Sequence, residues 1–371
     1  MTSFLASVRY WPSSSGPFWW GAFRPDEVQH DFDLLAAFGI RRLRIALTWY
    51  DFQPSAETVS VLAMRNLEQV LQLAADRGIS LTVTLFPVRI FGVAFVPELA
   101  LGDGSSQRDA ALCGHATSRR PIRNLFSDPT VVRAQLLLIR EVVGEFGGHP
   151  AILGWVLGDG MASVTAPEDR EQFGAWLARI VDSATFTRNA RPLWYAVSAR
   201  DVALNPHVDL SALGHSGLGA WVIVDWRPPW ADDASATWES FLTVYTAGMT
   251  GFPPVLSAGC SPDTARKPQA APARTLDAVW SAGAAGYELD AASDSGDDVV
   301  RVDLLKPAGI CLKQGVFSAG GTPKDQDLVG LLTDAKRVAM PPAPLASIPD
   351  ARERAEDPDG VIRSCFAAFT R

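Results

Sequence analysis

Eight times along its 371 residues the chain passes from a short apolar run to an amphipathic stretch, and that alternation leaves few folds open to it. Strands buried on both faces of a parallel sheet read as unbroken apolar runs, and the helices covering them repeat their apolar residues every three to four positions. The runs lie at 4–10, 43–47, 80–86, 151–157, 193–198, 220–226, 254–258 and 286–291. Between them Val28, Phe32, Leu35 and Phe38 are spaced for a helix that stops at Gly39, and Leu67, Val70, Leu71 and Ala74 for one that stops at Gly78. Asp128-Pro129 marks a helix start, and Thr165-x-x-Glu168 reads as a capping box ahead of Phe173, Trp176, Leu177 and Ile180. Eight such pairs predict an α/β chain wound into a (β/α)8 TIM barrel. One barrel is expected over 1–340, followed by a tail over 341–371 whose stretch 361–369 is placed to dock on it. The long segment 87–123 reads as irregular, and loops of that length commonly line a site.

With 47% hydrophobic and 20% charged residues, the chain has a core large enough for such a barrel. The net charge of −8 is spread along it, which argues against a nucleic-acid partner. No run approaches about 18 apolar residues, so no membrane span is expected. The first ten residues lack the features of a secretory signal, which suggests a cytoplasmic home. Cys113, Cys260, Cys311 and Cys365 lie far apart with no paired spacing and read as free thiols. No cofactor is expected, and no spacing supports a metal.

Several blocks occur in an order that carries a family likeness. Tyr10-Trp11-Pro12 with Trp19-Trp20 closes the first strand, and Arg44 followed by Trp49-Tyr50-Asp51-Phe52-Gln53-Pro54 closes the second. Leu85-Phe86, Gly92 and Pro97-Glu98-Leu99 follow the third. The most specific block pairs Arg123-Asn124-Leu125-Phe126-Ser127-Asp128-Pro129 with His149-Pro150-Ala151-Ile152-Leu153-Gly154-Trp155. Gly286, Ser293-Asp294 and the run 315–324 complete the pattern. In these blocks the chain resembles the cellulase- and mannanase-like retaining glycoside hydrolases of family 5.

The resemblance implies two catalytic glutamates, and this sequence departs from it at both. Where relatives carry Asn-Glu after the fourth strand, Asp159-Gly160 stands here. The nucleophile position, counted from Pro254, falls on Gly259, or on Ala258 with the register slipped by one. The His-x-Tyr of the sixth strand becomes Asp225-Trp226-Arg227, the tryptophan of the eighth becomes Asp290, and the histidine of the third becomes Arg89. Retaining cleavage needs one carboxyl to protonate the leaving oxygen and another, about 5–5.5 Å away, to attack the anomeric carbon. Glycine does neither. Asp159, one residue from the lost acid, could stand in for it only if the strand end bends, since alternation along a strand points neighbours to opposite faces.

The same alignment puts new groups at the C-terminal face of the barrel, where such folds carry their function. Asp159, Asp225 and Glu288 are the candidate catalytic carboxylates, since facing carboxylates push their proton affinities apart into an acid and a base. Trp11, Arg44, Trp49, Arg89, Trp226, Arg227 and Asp290 are the candidate ligand-binding residues; the tryptophans could stack on a sugar face, and the arginines could orient a polar group. Alternatively these aspartates and arginines pair and fill a disused pocket. Cys260 follows the lost nucleophile, with His115 the one histidine in the long loop. Three readings compete: acid/base chemistry on a sugar-like, polyol or cyclic small molecule; a non-catalytic carbohydrate- or partner-binding barrel; and a glycosidase using relocated carboxylates such as Asp159 and Glu288.

Overall fold

The computed structural model describes residues 4–105, 110–114, 116–186, 191–231, 236–258, 271–295, 315–334, 338, 340–342 and 351–370. Eight parallel strands close into a barrel: β1 (Leu5–Arg9), β2 (Arg42–Ala46), β3 (Ser80–Thr84), β8 (Ile152–Asp159), β9 (Leu193–Ser198), β10 (Gly219–Ile223), β11 (Val255–Ser257) and β12 (Gly286–Leu289). Each pairs with its sequence neighbours, and β1 pairs with β12 to complete the ring. Helices follow the strands around the outside, among them α1 (Pro25–Ala37) after β1, α2 (Trp49–Phe52) and α3 (Val61–Asp76) after β2, α4 (Pro129–Phe146) before β8 and α5 (Arg170–Thr185) after it. This is the (β/α)8 barrel that the alternation of apolar runs predicts.

Local chemistry sets the helix ends. Pro25 occupies the first position of α1 with Asp26 and Glu27 behind it, and Gly39 beyond its end has φ +79, which glycine adopts without strain. Asp128 Oδ1 accepts from Thr130 N at 2.9 Å and Val131 N at 3.1 Å, capping α4. The expected box at Thr165-x-x-Glu168 does not form, because the Thr165 hydroxyl already accepts from Leu125 N at 3.0 Å. Asp169 caps α5 instead, accepting from Gln172 N at 2.8 Å.

The segment 87–123 differs from its reading as irregular. It folds into a small sheet of four short strands, β4 (Arg89–Ile90), β5 (Val93–Phe95), β6 (Ala111–Cys113) and β7 (Ala116–Ser118). It is anchored at the barrel mouth, where Asp159 N donates to Phe86 O at 2.9 Å and Val88 N to Asp159 O at 3.1 Å. Strands of two or three residues show no periodicity, so the sequence pattern misses them.

The chain's last helix, Pro358–Phe369, lies against the barrel wall with Ile362 buried. Phe366 packs on Trp230, Trp238 and Phe241, with ring centroids 5.2 to 5.9 Å apart. Arg354 donates to Val202 O at 3.0 Å. Cys113 and Cys365 are free. Among the described residues, no helix is long and apolar enough to cross a membrane.

Candidate functional site

Alternation along the strands sends residues 5, 7 and 9 of β1 and residues 42 and 44 of β2 into the barrel, and the inward set at the C-terminal end is charged. Arg44, 1% exposed, is the hub. Its Nε donates to both Glu288 oxygens at 2.7 and 3.0 Å, and its Nη1 to Asp159 Oδ2 at 3.0 Å. The guanidinium lies 5.0 Å from the centre of the Trp221 ring. Burial works against the Arg44 charge, but Glu288 and then Asp159 outweigh it and raise its pKa. Arg9 adds a second cation: Nη1 meets Asp290 Oδ1 at 3.0 Å, and Nη2 stands 3.7 Å from Asp159 and 3.8 Å from Glu288. Ser257 Oγ donates to Glu288 Oε1 at 2.8 Å.

Asp159 reaches this cluster through a break in the strand. The register between β8 and β9 shifts between Val156 and Asp159, a bulge that inserts an extra residue and reverses which face follows. A Cβ on Gly158 would meet Tyr195 Cε2 at 2.8 Å, so that position faces the helix layer, and Asp159 faces the axis. The expectation that Asp159 points away is therefore corrected. Gly160 comes next, with φ +69, and a Cβ there would lie 2.5 Å from Arg89 Cβ. The ladder that binds β8 to the start of the small sheet seats Arg89 directly over it.

Above the ion-paired cluster is a cleft lined by Arg9, Arg89, Phe91, Asp159, Ser198, Asp225 and Asp290 among others, with about 20 Å³ of free volume. That is room for about one water or one hydroxyl group. The turn at Phe91-Gly92 closes it; Phe91 holds φ +51 and sets its ring edge-on to Trp11 at 5.4 Å.

Asp225 is the titratable group at the mouth. Burial pushes its pKa up to about 6; Arg89 pulls it down, while Asp201 and then Asp159 push it further up. Asp201, on the helix Ala199–Leu204, is itself raised by burial despite hydrogen bonds from Ser163 at 2.7 Å and Asn205 at 3.2 Å. Because the folded value of Asp225 lies above the ordinary 3.8, its contribution to stability is full below about pH 4 and is lost as pH rises through about 6. The whole difference corresponds to about 3 kcal/mol, reduced by the water that still reaches the group. Asp225→Asn should therefore raise stability in urea melts at pH 8 by about 2 kcal/mol and leave it unchanged near pH 4. An equal effect at both pH values would contradict this assignment.

The other sequence candidates divide. Arg89, Asp159, Asp225 and Asp290 line the cleft; Arg44 and Glu288 lie beneath it, neutralising one another. Glu288 is fully buried beneath the cleft, held by Arg44 and Ser257. Trp11, Trp49 and Trp226 do not line it either, because their rings are engaged in packing. Trp49 lies against Phe86 at 5.1 Å and donates to Gln53 at 2.7 Å, and Trp226 lies 6.1 Å from Trp238. Arg227 turns away to a buried ion pair with Glu239. Gly259, Cys260 and His115 fall outside the described residues. Arg9, Ser257 and Asp201 were missed; the signal for Arg9 was a charged residue in phase with Leu5 and Ser7 on a strand otherwise apolar. Among the described residues no group of histidine, cysteine and carboxylate side chains could hold a metal ion.

No family model matches the chain, and no curated protein does. Solved structures do. GH5_18 from Streptomyces cattleya in complex with Manb1-4GlcNAc is 19% identical, with a TM-score of 0.76 over 100% of this chain and 91% of that one. The same organism's GH5_18 in complex with GlcNAc is 20% identical, with a TM-score of 0.76 over 99% and 90%. An exo-beta-1,4-mannosidase from an Opitutaceae bacterium, strain TAV5, is 18% identical, with a TM-score of 0.70 over 90% of this chain and 60% of that one. At such identities the likeness is one of fold: a glycoside-hydrolase-like barrel.

Proposed function

We propose that this barrel has given up retaining glycoside cleavage and carries out acid/base chemistry on a sugar-like, polyol or cyclic small molecule at its C-terminal mouth. The observation that carries the reading is Gly160. Its left-handed backbone and the Arg89 Cβ at 2.5 Å leave no space for a glutamate side chain at the position the family resemblance assigns to the acid. Asp225 is the proton-transfer group in this proposal: it lines the cleft, and its pKa of about 6 suits exchange of a proton near neutrality. Asp159 is the group that receives the ligand's hydroxyl, since its Oδ1 is buried without a hydrogen-bond partner. The solved relatives in complex with Manb1-4GlcNAc and GlcNAc support a carbohydrate as the ligand class. A whole ring exceeds the present free volume, so binding requires the Phe91-Gly92 turn to swing outward.

The small cleft also favours a second reading, a barrel that binds carbohydrate or a partner without turnover. Prolonged incubation of the wild type and Asp159→Asn with a panel of aryl β-glycosides addresses the main claim. No cleavage by either is expected; cleavage by the wild type that disappears in the variant overturns it. Calorimetric titration with GlcNAc and polyols then separates the first two readings. Acid/base chemistry requires product to form in the wild type and not in Asp225→Asn, whereas simple binding leaves the ligand intact in both.

A further inference from the structure

A groove lies on the outer wall of the barrel, where α4 and α5 run side by side. It has a volume of about 580 Å³, within the range of small-molecule sites. Arg133 and Arg140 stand seven residues apart on one face of α4, and Arg179 faces them from α5. All three are exposed, and none has a hydrogen-bond or ion-pair partner among the described residues. In a chain of net charge −8, whose other described arginines include many tied to carboxylates, three guanidiniums that line one groove without an ion-pair partner among the described residues stand out.

The rest of the lining narrows the ligand. Leu136 lies between the two α4 arginines and offers an apolar floor. Glu57 and Asp182 complete the walls, and their carboxylates likewise have no side-chain partner among the described residues. Guanidinium groups pair bidentately with phosphate, carboxylates accept from hydroxyls, and an apolar floor accommodates a ring face. We propose that this groove binds a small polyhydroxylated phosphate, that is, a sugar phosphate. The phosphate meets the arginines, and the hydroxyls meet Glu57 and Asp182. The site is separate from the mouth and does not depend on the function proposed there, although its two helices flank β8, the strand that carries Asp159.

The test is calorimetric titration of the full chain at low salt with glucose 6-phosphate, inorganic phosphate and glucose. Saturable binding of glucose 6-phosphate is expected, at least roughly tenfold tighter than inorganic phosphate or glucose and weakening as salt is added. Arg140→Gln with Arg179→Gln should lose roughly 100-fold in affinity while keeping the wild-type melting temperature, because both side chains are exposed. Binding in Asp225→Asn should match the wild type. Absence of saturable binding, equal binding by the double variant, or loss of binding in Asp225→Asn would each overturn the proposal. Equal affinity for inorganic phosphate and glucose 6-phosphate would overturn the sugar-phosphate class.

Discussion

Arg44→Met is expected to destabilise the protein by about 3–5 kcal/mol, a large part of the stability of an ordinary domain. Arg44 holds two carboxylates, Glu288 through a two-pronged contact and Asp159 through Nη1, all in a site with almost no solvent. Methionine fills much of the space but leaves the two charges with only the longer contacts of Arg9, at 3.7 and 3.8 Å. Breaking a buried pair from one side costs more than replacing the whole of it with apolar groups. Arg44→Met with Glu288→Leu should therefore recover part of the loss, which Arg44→Met alone cannot. Urea denaturation of the two variants measures it; a single variant within 1 kcal/mol of the wild type would mean that Arg9 alone can neutralise the acids.

The second large effect concerns the position where the family resemblance places an acid. Gly160→Glu is expected to cost about 2–5 kcal/mol and to restore no glycosidase activity. Left-handed backbone costs a non-glycine residue about 1 kcal/mol or more, and forcing a new carbon against a packed neighbour adds about 1–3 kcal/mol. The neighbour is Arg89 Cβ, so Arg89→Gly in the same chain should relieve the second part and leave the first. Wild-type stability in Gly160→Glu, or glycoside cleavage by it, would show that the mouth opens to accept a carboxylate there.

These two positions also mark how far the sequence could be read. Arg44 was a candidate from its place in a strand, and its inward direction follows from alternation. Its partners did not follow: Glu288 lies 244 residues away, and the two meet only because β1 pairs with β12 and closes the ring. Arg9 is not legible for the same reason, since its partner Asp290 lies across that closure. Nearness to strand ends marks the tryptophans as a stacking rim, but strand-end residues also pack under loops, and Trp11 is buried with its ring against Phe91 in the turn between β4 and β5.

The sequence by itself determined the barrel and the order of its elements. Unbroken apolar runs and helical spacing are local signals, repeated eight times, and errors at single positions do not change the count. Only the tertiary structure decided which side chains share the mouth and in what state. The bulge at Val156–Asp159 arises from the register between β8 and β9, and it alone turns Asp159 inward. The raised proton affinity of Asp225 arises from burial and from Asp201 and Asp159, on other parts of the chain. Strand identity is written in neighbouring residues, whereas facing, pairing and proton affinity depend on groups that only closure of the barrel brings together.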